Sequence, residues 1–252
     1  LELNRRSVRN QIHDIERQLK AVEKNRATVR EKRLESSIFK IGLIGYTNAG
    51  KSTIMNCLTS KSQYEADELF ATLDAMTKNI NLSGQLNVTL TDTVGFIQDL
   101  PTELVSSFKS TLEESKNVDL LVHVIDACDP HHEEHEKTVL DIMKELDMLD
   151  IPRLTLYNKS DKAENFTPTL TPYSLISAKA DNSRALLQQV LLERMKELFL
   201  PFTIKVAPAK AYKIHDLEKV AIMGNREYID DIETISGWIA EKNKWKLEEF
   251  YD

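Results

Sequence analysis

The sequence predicts an open α/β fold, a mostly parallel sheet with flanking helices. A long helix over 1–37 precedes it and a small α+β segment over 201–252 follows it. Three observations carry this reading. Over residues 38–200 short apolar runs alternate with helical stretches, the pattern of parallel strands joined by crossover helices. Between the first apolar run and the first helix lies Gly45-Tyr46-Thr47-Asn48-Ala49-Gly50-Lys51-Ser52, which fits G-x-x-x-x-G-K-[S/T]. Residues 1–35 hold no Gly or Pro and set Val8, Ile12, Ile15, Leu19, Val22 and Val29 on a heptad seam.

Taken in order, the first helix would run about 50 Å at 1.5 Å per residue, its seam interrupted at Arg26. So narrow a seam suits a single partner helix. A chain that opens at Leu1 inside a charged pattern reads as a piece of something longer. Strands are expected at 39–44, 86–91, 120–126, 153–157 and 173–177, with an edge strand at 78–82. Helices are expected at 51–58, 102–115, 132–149 and 183–198, and 160–172 reads as a loop holding Pro168 and Pro172. Beyond Pro201 a strand over 202–206 is followed by helical spacing over 210–223. A hairpin of 232–240 with 245–250 would turn at Glu241-Lys242-Asn243.

Charge is uneven. The formal net charge is −7, but residues 1–37 carry ten Lys/Arg against six Asp/Glu, so the arm is +4 and the remainder −11. That argues against a general nucleic-acid coat and leaves the arm as the segment that invites a polyanion. A solvated helix face has the same composition. Eight basic against ten acidic residues over 202–252 make no such footprint. No apolar run approaches the roughly 20 residues that span a bilayer, and no signal peptide is visible. Cys57 and Cys128 sit in apolar stretches without metal-ligand spacing, which reads as reduced core thiols in a cytoplasmic protein.

The chemistry gathers at strand ends. Gly45 and Gly50 permit torsions and close approach that a side chain would block. The N–H groups of Asn48, Ala49 and Gly50, continuing through Lys51, Ser52 and Thr53 into the helix N-terminus, then face an anion. Lys51 is placed to reach β- and γ-phosphates and Ser52 to give its hydroxyl to Mg²⁺. Asp92-Thr93-Val94-Gly95 follows the strand at 86–91. Asp92 would join the Mg²⁺ shell through water, and the Gly95 N–H would sense a γ-phosphate. Asn158-Lys159-Ser160-Asp161 reads N-K-x-D after the strand at 153–157. One carboxylate at Asp161 accepts the two adjacent donors of guanine, which adenine lacks, while Lys159 covers the base face. Ser177-Ala178-Lys179 suits a backbone N–H aimed at guanine O6. Together these motifs predict a GTP- and GDP-binding site. Thr72 is a candidate to bring a hydroxyl to Mg²⁺ on a mobile segment, with Thr77 and Thr59 as rivals. His131, His132 and His135 lack H-E-x-x-H order and read as part of an acidic first helical turn rather than a metal site.

The motif set resembles the HflX family of GTPases. Asp92-Thr93-Val94-Gly95-Phe96-Ile97-Gln98-Asp99-Leu100-Pro101 is similar to its switch II, and Phe70-Ala71-Thr72-Leu73-Asp74 to its switch I. Leu1-Glu2 with Arg5-Arg6 is similar to the end of its G-P-G-E-T-Q-L-E-x-D-R-R motif, Asn4 standing at the Asp position. The resemblance covers residues 1 to about 200. It implies a P-loop GTPase domain over 38–200 and puts Thr72 ahead of its rivals. It also implies a cytoplasmic switch that binds the large ribosomal subunit, in splitting or rescuing stalled ribosomes. The helix over 1–37 would be the remnant of an N-terminal domain that contacts ribosomal RNA. The alternative is a nucleotide-gated adaptor on a protein partner, with hydrolysis incidental. Phe96 stands where Ras-type GTPases have the glutamine that orients water, and Gln98 is not an obvious substitute, so slow intrinsic turnover is expected. Asn48 has two readings. It is a ligand for K⁺ near the phosphates, as in GTPases whose P-loop it resembles, or a turn-compatible residue.

Overall fold

The computed structural model describes residues 37–251 except 60–75, 83, 85, 93–113, 165, 230 and 231. The predicted helix over 1–35, most of that over 102–115, and Thr72, Gly95, Phe96 and Gln98 lie outside the described residues. A short 3-10 turn, Glu114–Asn117, stands at the end of the predicted 102–115 helix.

Six strands form the larger sheet: β1 Phe39–Ile44, β2 Met76–Leu82, β3 Leu86–Asp92, β4 Leu120–Asp126, β5 Arg153–Asn158 and β6 Tyr173–Leu175. Their order is β2-β3-β1-β4-β5-β6; only the β2–β3 pair is antiparallel. β4 is buried along almost its whole length, as expected for a central strand covered on both faces. β2, at the edge, leaves most of its residues partly or fully exposed.

Among the described residues three helices cover this sheet: α1 Lys51–Thr59, α2 His132–Glu145 and α3 Ser183–Leu198. Side chains alternate across a strand, and the two faces of β4 show it. Val122 and Val124 join Ile54, Leu58, Leu187 and Leu191 of α1 and α3, whereas Leu121 packs with Val139 and Met143 of α2. α2 ends at Glu145, four residues earlier than its apolar pattern implied, because Asp147 turns left-handed at φ +51°.

The C-terminal part holds β7 Leu200–Val206, α4 Ile214–Glu218, β8 Ala221–Ile229 and β9 Ile232–Ile239, with an antiparallel sheet in the order β7-β9-β8. The predicted hairpin is therefore wrong in its second strand. β9 pairs antiparallel with β8, and Glu241–Phe250 is a 3-10 helix. That segment buries Asn243, Leu247 and Phe250, spaced four then three, which is helical and not strand periodicity. Phe202, Ile204, Ile235, Leu247 and Phe250 form a core of their own, while Ile222 and Ala240 reach into the larger one. Lys242 Nζ donates to Asp119 Oδ2 at 2.6 Å and to the Ile38 carbonyl at 3.0 Å, holding the tail on the root of β1.

Candidate functional site

The C-terminal ends of β1, β3, β4 and β5 place Gly45, Asp92, Asp126 and Asn158 along one edge of the sheet. β1 lies between β3 and β4, so its connections depart to opposite sides, the switch point where open α/β sheets bind ligands.

The loop after β1 is tightly determined. Gly45 has φ +154°, and a Cβ there would stand 2.2 Å from the Val124 carbonyl oxygen. Gly50 has φ +99°, and its Cβ would stand 2.2 Å from Asn158 Nδ2. Asn48 adopts φ +59°, a left-handed torsion that asparagine tolerates better than other side chains, so the turn-compatible reading has a conformational basis. Lys51 Nζ, buried, donates to the carbonyls of Gly45 at 3.0 Å and Tyr46 at 2.9 Å. Burial pushes its pKa down to about 8, opposed by the Asp92 carboxylate. The Tyr46 ring stacks on His135 of α2, centroids 3.7 Å apart, which fixes the loop from the opposite side.

Ser52 Oγ donates to Asp92 Oδ2 at 2.8 Å, and Asp92 is buried. A hydroxyl and a carboxylate brought together at a phosphate-binding loop are hard oxygen donors, the set that suits Mg²⁺. Thr53 stands in the first turn of α1. Thr77 lies on β2, its hydroxyl 3.0 Å from that of Thr91, and Thr59 Oγ1 caps the Met55 carbonyl at 2.8 Å.

The N-K-x-D residues are tied to the loops around them. Asn158 Nδ2 donates to the Ala49 carbonyl at 2.9 Å, and its Oδ1 accepts the Ala178 N–H at 3.0 Å. One buried carboxamide thus ties the phosphate loop to the Ser177-Ala178-Lys179 loop. Ser177-Ala178-Lys179 is the segment expected to aim a backbone N–H at guanine O6, and of its N–H groups that of Ala178 is held by Asn158. Lys159, at φ +61°, pairs its Nζ with Asp126 Oδ2 at 2.6 Å. Asp161 is exposed, and a hydrogen bond from the Ser177 hydroxyl holds its carboxyl below the ordinary range, so it stays an acceptor.

Sequence reasoning missed Asp126, although the rule that found Asp92, an acid at the end of a parallel strand, applies equally to it. It also missed His123, fully buried on β4 and pushed down to about 3 by burial and then by the charges of Arg153 and Lys51. Cys128 is exposed, against the expectation of a core thiol, and Cys57 is half-buried beside the Ser183 hydroxyl. Among the described residues no group of His, Cys, Asp and Glu has the arrangement of a metal centre. His132 and His135 instead bond to the Asp129 carbonyl and carboxylate. No helix among the described residues is long and apolar enough to cross a membrane.

A protein family described as "50S ribosome-binding GTPase" matches residues 40–159. The GTPase HflX of Alkalihalophilus pseudofirmus is 47% identical over 204 residues, 80% of this chain and 48% of that protein. The GTPase HflX of Escherichia coli is 38% identical over 232 residues, 87% of this chain and 54% of that protein. The chain belongs to the HflX family of GTPases. It spans about half the length of these curated relatives. In three dimensions this HflX-family chain is similar to a GTP-binding protein of Sulfolobus solfataricus solved in complex with GDP. The TM-score is 0.51 and the identity 25%, over 73% of this chain and 58% of that one.

Proposed function

We propose that this chain binds GTP and GDP, hydrolyses GTP slowly on its own, and serves as a cytoplasmic switch on the large ribosomal subunit, in splitting or rescue of stalled ribosomes. The observation that carries the nucleotide part is the Asn158 carboxamide. It joins the loop that cradles phosphates to the loops that recognise a base, so both ends of one nucleotide meet a single rigid unit. The ribosomal part rests on family membership and on the +4 arm over 1–37, whose contact would be with ribosomal RNA.

In this reading Lys51 leaves the carbonyls of Gly45 and Tyr46 for the β- and γ-phosphates, and the N–H groups of residues 48–53 surround them. Ser52 and Asp92 hold Mg²⁺, with Thr72 as the switch threonine, and the ion when bound supplies positive charge to the phosphate oxygens. Gly95 senses the γ-phosphate. Asp161 accepts the guanine donors, and Lys159 covers the base. Asn48 would lend its amide oxygen to a weakly hydrated K⁺ beside the phosphates.

The test is GTP turnover with purified ribosomal subunits titrated in. Marked stimulation by the large subunit is expected. A flat titration would instead favour the adaptor, for which GTP-dependent capture of a protein partner is the function.

A further inference from the structure

The residues that close β4 and lead out of it, Asp126-Ala127-Cys128, belong to none of the nucleotide motifs, yet each holds the N-K-x-D loop. The Ala127 N–H donates to the Asn158 carbonyl at 2.9 Å. Cys128 Sγ donates to the Lys159 carbonyl at 3.2 Å. Asp126 divides its two oxygens: Oδ1 accepts the Cys128 N–H at 3.0 Å and shapes the turn, while Oδ2 takes the Lys159 ammonium at 2.6 Å.

Lys159 is a residue that needs such a hold. Its backbone lies in the left-handed region, and its four-carbon stem is rich in rotamers. A flexible stem is a poor surface for a base, because its freedom must be given up when the base arrives. An ammonium fixed at its far end leaves the methylenes extended in one direction beforehand. We propose that Asp126 is a positioning residue of the guanine-base site, its carboxylate anchoring the Lys159 ammonium so that the lysine stem is preset across the base face. This rests on the nucleotide-binding reading above.

The pair is 37% exposed at Lys159 and 20% at Asp126. Ion pairs so open to solvent add little to folding, so the anchoring is separable from stability. The Cys128 thiol is pushed up, by burial first and then by Asp126, and stays protonated, as a donor to the Lys159 carbonyl must be. Contact with the face of a base is blind to its hydrogen-bonding edge and to the γ-phosphate. That blindness is the signature to look for.

The experiment is equilibrium binding of fluorescent GDP and a non-hydrolysable GTP analogue to the full chain. Four proteins are compared: wild type, Asp126→Asn, Lys159→Ala and the double variant. Asparagine keeps an acceptor for the Cys128 N–H and removes the charge. Asp126→Asn should weaken both nucleotides by the same factor, about three- to fivefold, and should add nothing once Lys159 is alanine. In an Asp161→Asn background the same factor should appear for xanthosine diphosphate. Unchanged or tighter binding by Asp126→Asn would overturn the proposal. So would an equal loss in the presence and absence of the lysine amine, which would mean that Asp126 acts through its turn. Wild-type protein that ignores both guanine nucleotides would sink the nucleotide reading itself, a result separate from either.

Discussion

Asn158 is the residue whose loss should reach furthest. Asn158→Ala removes two hydrogen bonds at once, leaving the Ala49 carbonyl and the Ala178 N–H without their partner. Ala49 is 1% exposed and Ala178 8%, so solvent reaches neither group without a shift of backbone. Each buried polar group left unpaired costs about 1–3 kcal/mol. A water entering the space of the amide recovers part of this. The expected loss is therefore about 2–4 kcal/mol of unfolding free energy, well above that of a surface substitution. Urea unfolding of nucleotide-free protein measures it, read as a lowered midpoint with an unchanged slope. GDP and GTP affinities should fall together, because the phosphate loop and the Ser177-Ala178-Lys179 loop lose their common tie. Asn158→Asp keeps an acceptor for Ala178 but sets a carboxylate against the Ala49 carbonyl, and should be no better than alanine. A midpoint equal to wild type for Asn158→Ala, with intact GDP binding, would refute the clamp.

Further outcomes are expected at Lys51, Asp161 and Asn48. The Lys51 pKa of about 8 lies below the ordinary lysine value of 10.5, so nucleotide-free protein holds fewer protons than the unfolded chain between those values. Stability should thus rise as pH climbs from about 8 to 10.5, a rise that Lys51→Met removes in matched denaturation series. Phosphate binding restores the proton, so GDP affinity should weaken as pH rises above about 8, with proton uptake visible by calorimetry in buffers of different ionisation heat. Asp161→Asn replaces an acceptor-only carboxylate by an amide that presents a donor; GTP affinity should fall on the order of tenfold or more and XTP affinity rise. Unchanged GTP binding would remove Asp161 from the base site. For Asn48, glycine is the informative substitution, because alanine at φ +59° would add backbone strain to the loss of the amide. GTP turnover should be faster in KCl than in NaCl for wild type, and Asn48→Gly should abolish the difference; equal wild-type rates in the two salts would leave the asparagine as a turn residue.

The order and type of most elements were legible in the sequence because their causes are local. The continuous apolar run of β4 and the four-three spacing of α2 lie within a few residues of each other in the chain. Gly45 and Gly50 stand where a turn needs torsions that side chains resist, and the motif states this by itself. The chemistry of Lys51, Ser52, Asp92 and Asp161 is likewise carried by residue type and by position at a strand end. Tertiary structure decided the partners. Asn158 meets Ala49 across 109 residues of chain and Ala178 across 20, and Asp126 meets Lys159 across 33. No local spacing encodes those distances, since they exist only once β1, β4 and β5 lie side by side in parallel register. The C-terminal hairpin shows the same division. Both 221–229 and 245–250 offered apolar residues to β9, and the choice fell to the fold. Leu247 and Phe250 fill the core with Phe202, Ile204 and Val206 of β7, which leaves the backbone of β8 to satisfy the edge of β9.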